Sequence, residues 1–253
     1  MRSTQADDYQ KVARVVAVMP KTFTGGTSTG RHSHPRGQVL YATSGLMLAH
    51  TDHGAWAVPT GHALLIPPQL PHDITMHGNV KMLTAYIAAR SWAKIAGSAC
   101  RVVRVSALLD AALAAIANEP VLYSLRGRGN HLAVIILDEI KRAEIAELAL
   151  PLPTNARLRR ICTALVENPS LEHGIDDWAE TVATSRRTLT RLFRQGTGMS
   201  FGAWRRQLRQ LQSLKLNVEG APLKTIAARV GYRSPQALQA MMKRAGRRLA
   251  RPL

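Results

Sequence analysis

The sequence predicts an α+β chain with an N-terminal antiparallel β-barrel, linking helices, and a C-terminal all-α domain carrying two helix-turn-helix units. Three observations support this. Short apolar runs separated by Gly, Pro and Asn fill the first third of the 253 residues. Past Trp92 the alternation gives way to helical periodicity. In the last hundred residues one apolar pattern occurs twice.

The strand candidates are Val12 to Met19, Val39 to Tyr41, Leu46 to His50, Ala55 to Val58, Ala63 to Ile66 and Lys81 to Ile87. Turn signals separate them, among them Gly25-Gly26, Gly45, Gly54, Pro59, Pro67-Pro68 and Gly78-Asn79. Many short strands at such spacing favour a barrel or sandwich. Ser106 to Asn118 and Leu132 to Leu148 read as helices, with Ser106 as an N-cap. Pro151-Leu152-Pro153 breaks the second. The expected divisions are therefore 1–92, a barrel; 93–153, linking helices; and 154–253, the helical domain.

The repeat begins at Ile175, Trp178, Ala179 and Val182, spaced as the buried stripe of a short helix. Leu223, Ile226, Ala227 and Val230 repeat it 48 residues later. Each copy runs through a turn to a serine suited to cap a second helix, Ser185 and Ser234. Leu189, Leu192 and Phe193 form the inward stripe of one second helix, and Leu238, Met241 and Met242 that of the other. Two short helices and a tight turn make a helix-turn-helix. The outward residues are Arg186, Arg187, Thr190, Arg191 and Arg194 in the first copy, and Gln236, Gln239 and Lys243 in the second. Arg pairs with guanine and Gln with adenine in the major groove, so these are the candidate DNA contacts. Phe201, Trp204, Leu208, Leu211 and Leu214 stripe the helix between the copies. Arg205, Arg206 and Arg209 lie off that stripe and are expected at phosphates.

Charge agrees. The net charge is +18, and Thr154 to Leu253 carries 19 Lys and Arg against 6 Asp and Glu. Such an excess favours a polyanionic partner, here double-stranded DNA. No apolar run reaches the ~18–20 residues of a membrane span, so no membrane partner is expected. The polar start has no secretory h-region. Cys100 and Cys162 are too few and too far apart for a disulfide framework. Together these point to the cytoplasm.

The motifs DWAETVATSRRTLTRLF (Asp177 to Phe193), TGMSFGAWRRQLR (Thr197 to Arg209) and IAARVGYRSPQAL (Ile226 to Leu238) resemble the DNA-binding domain of AraC/XylS-type bacterial regulators. The resemblance implies a sequence-specific transcription regulator and a further helix before the first copy, for which Leu158, Ile161, Cys162 and Leu165 supply a stripe. The family commonly has Phe at the place of Leu238. Its C-terminus usually continues with a Gly-x-x-Pro segment, where this chain ends in the short basic run Gly246 to Leu253.

Three histidines stand apart. His32 and His34 alternate, so on a strand they share a face, and His72 follows the strand ending at Ile66. Gly26, His32-Ser33-His34, Gln38 and Gly45, then Pro59-x-Gly61 and Ile66-Pro67-Pro68 with His72, resemble the two motifs of cupin barrels. The resemblance implies a divalent metal on His32, His34, Gln38 and His72, or the same residues lining an effector pocket. Cupin enzymes usually have Glu at the place of Gln38, and an amide cannot act as a general base. A cupin-like effector or dimerisation domain that takes a small-molecule effector and pairs as a homodimer is therefore expected, not an enzyme. The alternative is a metal-dependent cupin enzyme with a basic helical tail.

Overall fold

A computed structural model describes residues 3–146 and 148–249, with side chains as far as Lys243. The chain divides into two compact units: Met1–Thr51 with Trp56–Glu147, and Asp52–Ala55 with Leu148–Leu253.

The first unit is built on strands β1 (Val16–Phe23), β2 (Gly37–Thr51), β3 (Gly54–Pro59), β4 (His62–Ile66), β5 (Asp73–Ile87), β6 (Arg101–Arg104) and β7 (Ile145–Ala146). Their path runs β1-β5-β2-β4-β6-β7, with β3 paired to β2. The cupin-like sheet is antiparallel, and among the described residues its end strands β1 and β7 are not paired, so the barrel is unclosed. Alternation assigns the faces. Val39, Ala85 and Leu65 stand side by side in register and join a core with α2 (Ala107–Ile116) and α3 (Arg128–Arg142). One residue along, Gln38, Tyr86 and Ile66 are in register and point to the opposite face.

The structure differs from the sequence expectations where residues distant in the chain meet. The two strands read on either side of Gly45 are one, β2, because a bulge carries the chain through. Gly45 sits there at φ 83°, and a Cβ would lie 2.6 Å from the Asn79 carbonyl. β1 starts at Val16, not Val12. The carbonyls of Val12, Arg14 and Val15 accept instead from the buried Arg36 guanidinium. The second predicted helix ends at Arg142. Arg104 N–H donates to the Glu144 carbonyl at 2.9 Å, and the following residues join the sheet as β7. Finally, the sequence set 93–153 apart as linking helices, whereas α2 and α3 share the core of the sheet. An α-helix not read from the sequence, α1 (Ala89–Ile95), buries Trp92 in that same core.

The second unit holds strand β8 (Ala149–Pro151) and helices α4 (Ala156–Glu167), α5 (Ile175–Thr181), α6 (Arg186–Thr197), α7 (Phe201–Val218), α8 (Leu223–Arg229) and α9 (Pro235–Leu249). The stripe predicted for α4 is buried: Leu158, Ile161, Cys162 and Leu165. Phe193 packs edge-on to Phe201 and Trp204, joining α6 to α7. Leu238 is fully buried with Leu216, Ile226, Val230 and Met241. An aliphatic side chain thus fills a place where Phe is usual, and full burial of one is worth about 1.5–3 kcal/mol. The last four residues of the basic run Gly246 to Leu253 and all its side chains lie outside the described residues.

Candidate nucleic-acid interface and histidine cluster

The two helix-turn-helix units are alike down to the turn. Ala183 has φ 50° and Gly231 φ 73° at equivalent positions. Thr184 N–H donates to Ala179 O at 2.9 Å, and Tyr232 N–H to Ala227 O at 2.8 Å. The extra residue that lengthens the repeat from 48 to 49 is then Arg233. Ser185 accepts from Thr188 N–H and Ser234 from Ala237 N–H, so both serines cap α6 and α9 as their sequence positions predict.

Those caps set the phase of each helix. Arg186, Arg187, Thr190, Arg191 and Arg194 are exposed along α6, opposite buried Leu189 and Phe193. Gln236, Gln239 and Lys243 are exposed along α9. Within α6 the polar side chains differ. Arg186 pairs with Asp176 of α5 at 3.1 Å, and Arg191 donates to Gln195 at 3.3 Å. The Thr190 hydroxyl donates back to the Arg186 carbonyl, leaving its lone pairs outward. The residues expected at phosphates on α7 separate. Arg206 is exposed. Arg205, a candidate DNA contact in the sequence, is half-buried and donates to the His173 carbonyl at 3.1 Å. Arg209 is half-buried too and donates to the Pro169 carbonyl at 3.3 Å. Burial lowers both guanidinium pKa values, their mutual repulsion adds for Arg205, and Glu172 opposes the shift. The periodicity that put them off the buried stripe could not show that a loop covers them.

In the first unit His32, His34 and His72 come together, with one ligand atom from each lying within 4.8 Å of the others. The rings of His32 and His72 are 4.4 Å apart and those of His32 and His34 4.8 Å. Backbone carbonyls fix two of the tautomers: His32 Nδ1 meets Gly30 O at 2.8 Å and His72 Nδ1 meets Leu70 O at 2.8 Å. A carbonyl accepts only, so Nδ1 carries the proton, and in the neutral ring Nε2 then keeps a lone pair. This is the outer arrangement that orients metal-binding imidazoles. His34 Nε2 and His72 Nε2 are buried without a hydrogen-bond partner, as is Gln38 Oε1. Burial, then repulsion from His32 and His72, lowers the His34 pKa to about 4. Burial also lowers that of His72, against the pull of the Leu70 carbonyl. Both are neutral at pH 7.

The donor set fits a borderline divalent metal, which takes neutral imidazole nitrogen readily. Metal–nitrogen bonds of about 2.0–2.1 Å hold two ligand atoms at most ~4.2 Å apart, so the widest pair must close slightly on binding. Gln38 stands in register with Tyr86, whose ring meets His34 edge-on at 5.1 Å between centroids. Tyr41, Trp56 and Tyr86 fall within strand candidates of the sequence, and all three are buried. The sequence does not reveal Tyr9, whose buried ring lies 6.1 Å from that of Tyr86. A lone aromatic in a polar segment has no periodicity to mark it.

The AraC-like ligand binding domain family matches residues 24–133, and a helix-turn-helix domain family matches residues 178–249. The HTH-type transcriptional regulator NimR of Escherichia coli is 26% identical over 213 residues, 84% of this chain and 77% of its own length. The HTH-type transcriptional regulator RipA of Corynebacterium glutamicum is 31% identical over 94 residues, 37% of this chain and 28% of its own. Among solved structures, ToxT from Vibrio cholerae aligns with 91% of this chain and 94% of its own at 11% identity, with a TM-score of 0.37.

Proposed function

We propose, from the premise that this chain is an AraC-type DNA-binding transcription regulator with an N-terminal cupin-like ligand-binding domain, that α6 and α9 read two neighbouring DNA elements under the influence of a divalent metal at the histidine cluster. The observation behind the first half is the pair of capped helices whose outward faces carry Arg187, Thr190 and Arg191 on one and Gln236 and Gln239 on the other. The 18-residue α7 between them spans about 27 Å. With its flanking turns this approaches the ~34 Å repeat of the duplex.

The two faces are chemically unlike. The arginines of α6 suit a G-containing element and supply most of the salt-dependent affinity. The glutamines of α9 suit adenine and release fewer counterions. Arg186, held by Asp176, acts as a phosphate contact.

The second half rests on the converging lone pairs of His32, His34 and His72. When bound, a metal supplies a fixed positive centre and an open coordination position for an acidic or amine-bearing effector. The chain's own part is to orient the His32 and His72 imidazoles through the Gly30 and Leu70 carbonyls and to exclude water from His34 and His72. Gln38 completes the set without a carboxylate base, which favours sensing over catalysis. The protein works in the cytoplasm, where its DNA is, and as a homodimer it would place four reading helices on one operator.

Selection of duplexes from a random pool at about 0.15 M salt, with and without added zinc, tests this. A two-part motif whose enrichment changes with zinc is expected. Recovery without any motif would refute the reader, and a motif indifferent to zinc would refute the coupling.

A further inference from the structure

The loop ahead of the first helix-turn-helix unit and the turn inside the second are brought together. Gly231 lies so close to this loop that a Cβ on it would come within 2.9 Å of Ser170 Cα and 2.6 Å of Arg209 Nη2. The position also has φ 73°, where an L side chain is strained. From α7, Arg209 donates to the Pro169 carbonyl at 3.3 Å and lies 5.5 Å from the centroid of the Tyr232 ring. One turn earlier Arg205 holds the His173 carbonyl. Loop 168–174 is therefore tied at both ends to α7.

We propose that Arg209 is the positioning residue that keeps α9 in register with α6, by bridging the Pro169 carbonyl before one unit and the Tyr232 ring in the turn of the other. Its planar guanidinium suits the task. One edge donates to a carbonyl while a face or edge meets an aromatic ring, which a lysine ammonium cannot reproduce. The core of the second helix-turn-helix joins α8, α9 and the end of α7, so it fixes that helix-turn-helix internally. The contacts of Arg209, Gly231 and Ser170 set where the unit stands relative to the first. The consequence for DNA rests on the two-element reading above. The positioning itself does not.

The test places spin labels on the full chain at Q195C and A240C, exposed positions on α6 and α9. Burial pushes the Cys100 and Cys162 thiols up to about 12, so the introduced thiols react first. Pulsed dipolar measurement should give one narrow distance in the parent. Arg209→Gln and Arg209→Lys should broaden it or shift its mean by several ångströms, at unchanged far-ultraviolet dichroism. Tyr232→Leu, which keeps an apolar side chain beside the core, should do the same and serves if the Arg209 variants unfold. An unchanged distribution in the folded variants overturns the proposal.

On DNA, Arg209→Gln should lose about tenfold or more on a two-element duplex, as expected when two tethered sites cannot engage together, and little on a single element. Equal loss on both, with the salt slope reduced by about one, would make Arg209 a phosphate contact and overturn the proposal. A parent with no preference for two elements would sink the two-element reading, while the label distances would still decide the role of Arg209.

Discussion

His32 and His72 hold each other through two backbone hydrogen bonds, 2.9 Å from His32 N–H to His72 O and 2.8 Å in return. Residues 40 apart in sequence thus form an antiparallel bridge, and their ring centroids lie 4.4 Å apart with the planes tilted by 57°. Gln69 N–H donates to His34 O at 2.7 Å and pins the next turn to the same segment. The spacing of the imidazoles is therefore set by backbone.

Replacing His34 or His72 with Ala should abolish tight zinc binding while leaving the sheet folded. The loss should exceed the about 10–100-fold typical of removing an outer-shell partner. Metal content after dialysis, read beside thermal unfolding, checks this; stoichiometric zinc in both variants would show the cluster is not the site.

The histidines also predict a pH dependence for the metal-free protein. The folded pKa of His34 is about 4, below the ordinary 6.5, and that of His72 is lowered too. Between these values the unfolded chain binds more protons than the folded one, so stability falls as pH drops from 6.5. The decline from His34 should level off near pH 4, where the folded state also takes up its proton. Urea midpoints across this range should show the fall, and it should shrink in His34→Gln.

Arg36 is a buried cation held by carbonyls. Nη1 donates to Val12 O, and Nη2 shares its two hydrogens among the carbonyls of Arg14, Val15 and Tyr86. Arg36→Met should cost about 2–4 kcal/mol, because several acceptors are left unsatisfied. Arg36→Lys should restore little, since one ammonium cannot span all four oxygens. Calorimetry on both variants decides; a cost under half a kilocalorie would mean the carbonyls find water instead.

Arg187→Ala and Arg191→Ala should each cost ~1–3 kcal/mol of affinity at one base pair, with preference relaxed there. Equal weakening on every sequence would reassign the residue to phosphate. Ser234→Ala should unravel the start of α9 by about 1 kcal/mol and weaken the second element more than the first. Footprinting with the arginine variants and with Ser234→Ala separates the two effects.

Local chemistry made much of this chain legible. The 48-residue repeat, the Ser185 and Ser234 caps, and the stripes of α4, α6 and α7 follow from side-chain spacing on a helix. Such signals need only neighbours within a few turns. So did the His32-Ser33-His34 alternation, which put two imidazoles on one face. Tertiary pairing settled the rest. Gly45 reads as a turn by itself, and only the opposing Asn79 makes it a bulge in a long strand. The segment after Arg142 has helical periodicity, but the free edge of β6 captures it. Arg205 and Arg209 carry the charge of a phosphate contact, and only the fold brings the Pro169 and His173 carbonyls to them. Local spacing fixes which face a residue takes; what lies opposite that face is a long-range contact, and its energy exceeds the local preference it overrides.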